Sequence, residues 1–173
     1  MAVSLYDLTV ASYLQVLPAV ENFLKKGQEH FAAGSVDADA VADIRLAPDM
    51  LPFRFQVHSV VHHSQGAIAG IKAGLFNPPP PMAKLDYSGL RQQVADARAG
   101  LEKVTPAEVE ALSGRDMTFA MGDLKIPFTV ETFLLSFSLP NFYFHAATAY
   151  DILRAQGVPL GKRDFLGRMR IKR

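Results

Sequence analysis

Leu139-Pro-Asn-Phe-Tyr-Phe-His145-Ala-Ala-Thr-Ala-Tyr-Asp-Ile-Leu-Arg-Ala-Gln-Gly157 is the stretch of this chain whose reading decides its fold. Asn141 and His145 are four residues apart, so on a helix they project from one face, one turn from each other. The run closes on Leu153, Arg154 and Gly157, the pattern of a helix end followed by its glycine cap. A polar pair inside so apolar a helix must be satisfied by a metal, a partner side chain or a ligand.

Working outward, this last helix is expected over Glu131 to Gln156, capped by Thr129 and kinked at Pro140 just before Asn141. Ahead of it the period changes from helical to alternating. Met117, Phe119 and Met121, a Gly122-Asp123 turn, then Leu124, Ile126 and Phe128 predict a two-stranded hairpin over Arg115 to Val130, which must pack on the rest because a lone hairpin is marginal in water. Tyr87 to Val104 reads as a helix with Val94, Ala97 and Leu101 as its narrow apolar edge. Thr105-Pro-Ala-Glu after it is a capping box with proline at the first helical position.

Further upstream, Pro78 to Pro81 forms a stiff connector. It closes a helix expected from Asp49 to Gly74, whose stripe runs Phe53, Val57, Val60, Val61, Ser64, Ala67, Ile68 and Ile71. The first helix is expected from Ser4 to about Phe31 with a kink at Pro18, and a short connecting helix over Asp37 to Arg45. Four long helices in one domain spanning residues 1–173 make an all-α four-helix bundle with a small β-hairpin before the last helix.

Composition narrows the function classes. With 49% hydrophobic residues and a formal charge of +1, the chain is neither disordered nor built for a strongly charged partner, so no nucleic acid is expected. Cysteine is absent, which removes disulfides, thiolate metal sites and cysteine nucleophiles, and fits a cytoplasmic location. Asp7, Gln15, Glu21 and Asn22 break the N-terminal apolar residues before signal-peptide or membrane-spanning length. No membrane association is expected. The basic end, Arg168 to Arg173, reads as a frayed, solvated tail.

Of the five histidines, His30 is expected at the solvated end of the first helix. At 100° per residue the second helix turns His62 toward solvent and leaves His58 and His63 on opposite edges of the stripe, His63 in line with Gln56, Val60 and Ala67. Ser136 and Ser138 lie near His145, but neither has the glycine elbow or oxyanion loop of a nucleophile. Phe137, Phe142, Tyr143 and Phe144 read as core.

These residues together resemble the DinB-like (DinB/YfiT) superfamily, in a bacterial domain-of-unknown-function branch. The resemblance rests on Ser4-Leu-Tyr-Asp-Leu-Thr9, Phe55-Gln-Val57, His63-Ser-Gln-Gly66, the last helix, and Gly161-Lys-Arg-Asp-Phe-Leu-Gly167. It implies that His63 joins the last helix in a divalent-metal site, zinc or nickel, with Asn141 and His145. Asn141 stands where the superfamily pattern His-x-x-x-His has its first histidine, and an amide oxygen is a weaker ligand than imidazole for such metals. The resemblance implies metal-dependent thiol transfer or hydrolysis; it assigns no base, for which the chain's own carboxylates offer Asp7 and, less aptly, Glu131. The rival is a non-catalytic small-molecule-binding or stress-response bundle in which His63, Asn141 and His145 form a polar network with Tyr6, Asp7 or Tyr143. A homodimer is expected, because Phe119, Phe128, Phe133 and Phe137 crowd one short stretch and DinB-like relatives commonly pair through helices. Lys162 and Asp164 are expected to fasten the C-terminal extension to the bundle.

Overall fold

The computed structural model describes residues 3–81 and 84–172. The first helix is two: α1 (Leu5–Leu8) and α2 (Val10–Ala33). Ser4 caps α1 by accepting from the Asp7 amide. The break falls at Thr9, with φ −113° and ψ −79°, where the threonine hydroxyl donates to the Leu5 carbonyl at 2.7 Å. Side-chain hydroxyls that take a nearby carbonyl compete with the helix ladder. The helix then runs on through Pro18.

The connecting helix is a single turn, α3 (Ala38–Val41), and α4 (Phe53–Val61) starts after Pro52 rather than at Asp49. A π-helical turn, His62–Gly66, joins α4 to α5 (Ala67–Ala73), which ends on left-handed Gly74, φ +72°. Next comes an element the periodicity does not contain: β1 (Leu75–Phe76). After the proline connector follow α6 (Tyr87–Leu101), α7 (Pro106–Glu110) with its Thr105–Glu108 capping box, β2 (Asp116–Met121) and β3 (Leu124–Thr129). The chain closes with α8 (Val130–Phe133), a second π-helical turn (Leu134–Ser138), α9 (Leu139–Ala155) and α10 (Lys162–Leu166). Thr129 caps α8 as its spacing predicts. Gly157 takes φ +85° just past α9.

The two-stranded hairpin is therefore corrected to a three-stranded sheet in the order β1-β2-β3. β2 and β3 pair antiparallel, while β1 pairs parallel with β2, Leu75 opposite Thr118 and Phe76 opposite Phe119. A two-residue strand is too short to leave an alternating pattern. The fold is mostly helical beside this small sheet. α4 packs on α9 and α6, and α2 packs on α6, α9 and α10.

The core explains this order. Tyr87 lies parallel to Phe53, ring centres 5.8 Å apart, and its hydroxyl reaches back to the Leu24 carbonyl at 3.0 Å, tying α6 to α2 and α4. The sheet covers the aromatic cluster at the start of the last helix: Phe119 is 5.0 Å from Phe137, and Phe128 is 5.9 Å from Phe133. These rings, read from sequence as surplus apolar surface, are packed against one another within the chain.

The C-terminal extension is not frayed through its described part. Asp164 pairs with Lys26 at 2.6 Å and accepts from the Gly161 amide, Gln15 donates to the Leu166 carbonyl, and Arg170 donates to the Asp7 carbonyl at 2.9 Å. Among the described residues Lys162 makes no ion pair, so Asp164 alone does the fastening expected of both. No helix among the described residues is long and apolar enough to cross a membrane.

Candidate functional site

His63 sits in the first π-helical turn and is 7% exposed. Such a turn holds one residue more than an α-turn and rotates everything after it relative to a 3.6-residue phase. His63 faces α9, on the side of α4 where Gln56 also reaches His145, and its ring meets that of His145 with centres 5.8 Å apart and planes 15° apart. The pairing of His63 with His145 is as the sequence implies. His62 is not: it is half-buried, its ring lies 4.4 Å from that of Phe76 in β1, and its Nε2 bonds the Asn77 carbonyl at 2.9 Å. The strand that covers it is the one with no period in the sequence.

Phenyl rings wall the pair. Phe76 and Phe137 lie 5.6 and 5.7 Å from His63, and Phe144 and Phe55 lie 5.2 and 5.9 Å from His145. Burial in these surroundings disfavours a charged imidazole, and each neighbouring imidazole opposes it further. The pKa of His63 is pushed down to about 3 and that of His145 to about 4, burial being the larger cause in both. Burial also lowers His62, against the pull of its bond to Asn77. Both members of the pair are thus neutral at pH 7, the form a metal ligand needs.

Two buried residues that sequence reasoning missed support the pair. The Nδ1 of His145 bonds Oε1 of Gln56 at 2.8 Å, and Nε2 of Gln56 donates to the Leu51 carbonyl at 2.7 Å. Ser138, fully buried in the second π-helical turn, donates to the His63 carbonyl at 2.7 Å. A hydroxyl has one proton, so the Tyr13 hydroxyl, 2.9 Å away, must donate to Ser138. Burial raises the Tyr13 pKa, in keeping with a phenol that stays protonated. Ser138, with its proton committed, is no nucleophile. The available signal for Gln56 was a polar residue in line with His63 on an apolar stripe.

Other expected members lie elsewhere. The Asn141 amide nitrogen donates to the Phe137 carbonyl one turn back at 2.7 Å, and among the described residues no hydrogen bond joins Asn141 to either histidine. Asp7 is exposed and bonds Ser4 at 2.9 Å as part of the α1 cap, so it is neither a member of the cluster nor its base. Glu131 accepts from the Gly114 amide at 2.7 Å and from the Ser113 hydroxyl, closing the turn ahead of β2. Tyr143 is 40% exposed, and the Tyr6 amide bonds Glu110. His58 faces α6, its Nδ1 3.2 Å from Gln93 Oε1.

The residues present partly fit a divalent cation. His63 Nδ1 is buried without a hydrogen-bond partner among the described residues, a cost that a ligand would offset. With its NH₂ bonded to Phe137, Asn141 keeps Oδ1 as its free end. Against these, no three His, Cys, Asp or Glu side chains among the described residues converge on one point.

Comparison with known proteins agrees with this architecture. No curated protein matches the chain. A crystal structure described as a DinB family member protein from Shewanella denitrificans superposes with a TM-score of 0.78 at 27% identity, covering 98% of this chain and 95% of that one. The family model for a domain of unknown function, DUF1993, matches residues 5–166. That match spans nearly the whole chain, which therefore belongs to the DUF1993 family and is a DinB-like protein.

Proposed function

We propose that α2, α4 with α5, α6 and α9 form a DinB-type four-helix bundle that binds a divalent cation, zinc or nickel, between His63 and His145 for hydrolysis or thiol transfer. The single observation that carries this reading is the pair of imidazoles 5.8 Å apart beside phenyl rings, where burial disfavours the charged form of each. His63 and His145 would hold the ion, with Asn141 Oδ1 a weaker third ligand and water completing the shell. A divalent cation supplies Lewis acidity, lowering the pKa of a water or thiol it holds. The phenyl rings of Phe55, Phe76 and Phe137 limit water and strengthen electrostatic interactions between them.

A second reading is favoured by Asn141, whose amide is turned onto its own helix. In that reading the protein is a non-catalytic small-molecule-binding or stress-response bundle, and the histidines with Gln56 and Ser138 form a structural network. Metal analysis of protein purified without an affinity tag, followed by melting with and without zinc or nickel, separates the two. Metal at about 100 times Kd is expected to add about 2.7 kcal/mol of stability. His145→Ala is expected to abolish that gain. An unchanged melting temperature across metal and chelator supports the structural network.

A further inference from the structure

We propose that Gln56 selects the tautomer of His145, placing the imidazole proton on Nδ1 and keeping Nε2 as a bare lone pair available to a ligand. The inference deepens the metal reading above and rests on it only for what occupies Nε2. Gln56 is 2% exposed, and its side chain spans from the segment ahead of α4 to α9. An amide has one accepting and one donating end, and the surroundings decide which faces where. Its Nε2 donates at 2.7 Å to the Leu51 carbonyl, which can only accept. Turning the amide over would set oxygen against oxygen there.

Oε1 therefore faces His145 Nδ1, 2.8 Å away. That oxygen only accepts, so Nδ1 must carry the proton. A neutral imidazole has one N–H, which leaves Nε2 bare. An unconstrained neutral imidazole prefers the opposite tautomer, so the preference is imposed by Leu51 through Gln56. Metal-ligating histidines use this arrangement: the far nitrogen donates to a fixed oxygen, and losing that oxygen typically weakens metal affinity 10–100-fold.

The test is long-range ¹H–¹⁵N NMR of His145 in the full-length, metal-free protein near neutral pH. The wild type is expected to show the Nδ1–H form. Gln56→Met, similar in length but without the acceptor, is expected to shift His145 to the Nε2–H form. With zinc alone as probe, Gln56→Met should bind about 10–100-fold more weakly than wild type. An Nε2–H form in the wild type overturns the proposal, and that spectrum needs no variant to fold. So does a Gln56→Met protein whose His145 tautomer is unchanged. A wild type with the Nδ1–H form that takes up no zinc overturns the metal reading and leaves the assignment to Gln56 standing.

Discussion

The Ser138 hydroxyl donates to the His63 carbonyl at 2.7 Å across 75 residues of sequence. It joins the π-helical turn that carries the first histidine to the one that precedes the helix of the second. Pro140 follows that second turn. Proline has no N–H and its ring crowds the carbonyl four residues back, so a wider turn ahead of it takes up the strain that the sequence reading assigns to a kink.

Ser138→Ala is expected to destabilise the protein by about 1–3 kcal/mol, since it orphans the buried Tyr13 hydroxyl as well as a bond to His63. Tyr13→Phe should cost less, and the double variant less than the sum, because the two residues share one chain of bonds. Urea denaturation of the four proteins checks this, and strict additivity would argue against the chain.

Acid should unfold the protein through its buried histidines. The folded values, about 3 for His63 and about 4 for His145, lie below the ordinary histidine value of 6.5. Below pH 6.5 the unfolded chain takes up protons that the folded one refuses. Their contribution is therefore full above pH 6.5 and is lost progressively as pH falls toward 4 and then 3. Each histidine contributes a slope of about 1.4 kcal/mol per pH unit in that window. His145→Gln should flatten the slope of stability against pH by about one proton, measured by denaturation from pH 7.5 to 4.5.

Gly27→Ala is expected to destabilise by about 1–3 kcal/mol through overpacking. A methyl group there would overlap the Tyr87 hydroxyl and press on Leu153 at 3.3 Å. The ring of Tyr87 is held by Phe53 and its hydroxyl by the Leu24 carbonyl, so it has little freedom to yield. Thermal melting of the variant beside Gly34→Ala, whose nearest neighbours are at ordinary contact distances of 3.5–3.8 Å, isolates the effect.

The homodimer expectation now rests on different residues. With the aromatic cluster packed under the sheet, the exposed apolar side chains of the last helical stretch are Leu135, Tyr143 and Phe144, the last 55% exposed. Light scattering at micromolar concentration should give twice the 18.9 kDa chain mass, and Phe144→Asp should return it to one chain. A wild-type mass of one chain would exclude the dimer.

The amino-acid sequence by itself determined the helices of residues 10–33, 87–101 and 130–155, the β2–β3 hairpin, the Thr105 and Thr129 caps and the glycine after α9. Each is written in local periodicity or in cap and turn residues a few positions apart. His63 with His145 was legible only by adding the family resemblance to helical spacing. The tertiary structure alone decided the rest. His62 keeps no solvent-facing place because Phe76 of β1 and the Asn77 carbonyl cover it. A two-residue strand has no period, so β1 was invisible until β2 paired with it. Gln56 and Ser138 reach partners 89 and 75 residues away, and Asn141 and Asp7 bond close to home instead of joining the histidines. Which partner a polar side chain finds is set by the packing of helices far apart in the chain, and no local pattern encodes it.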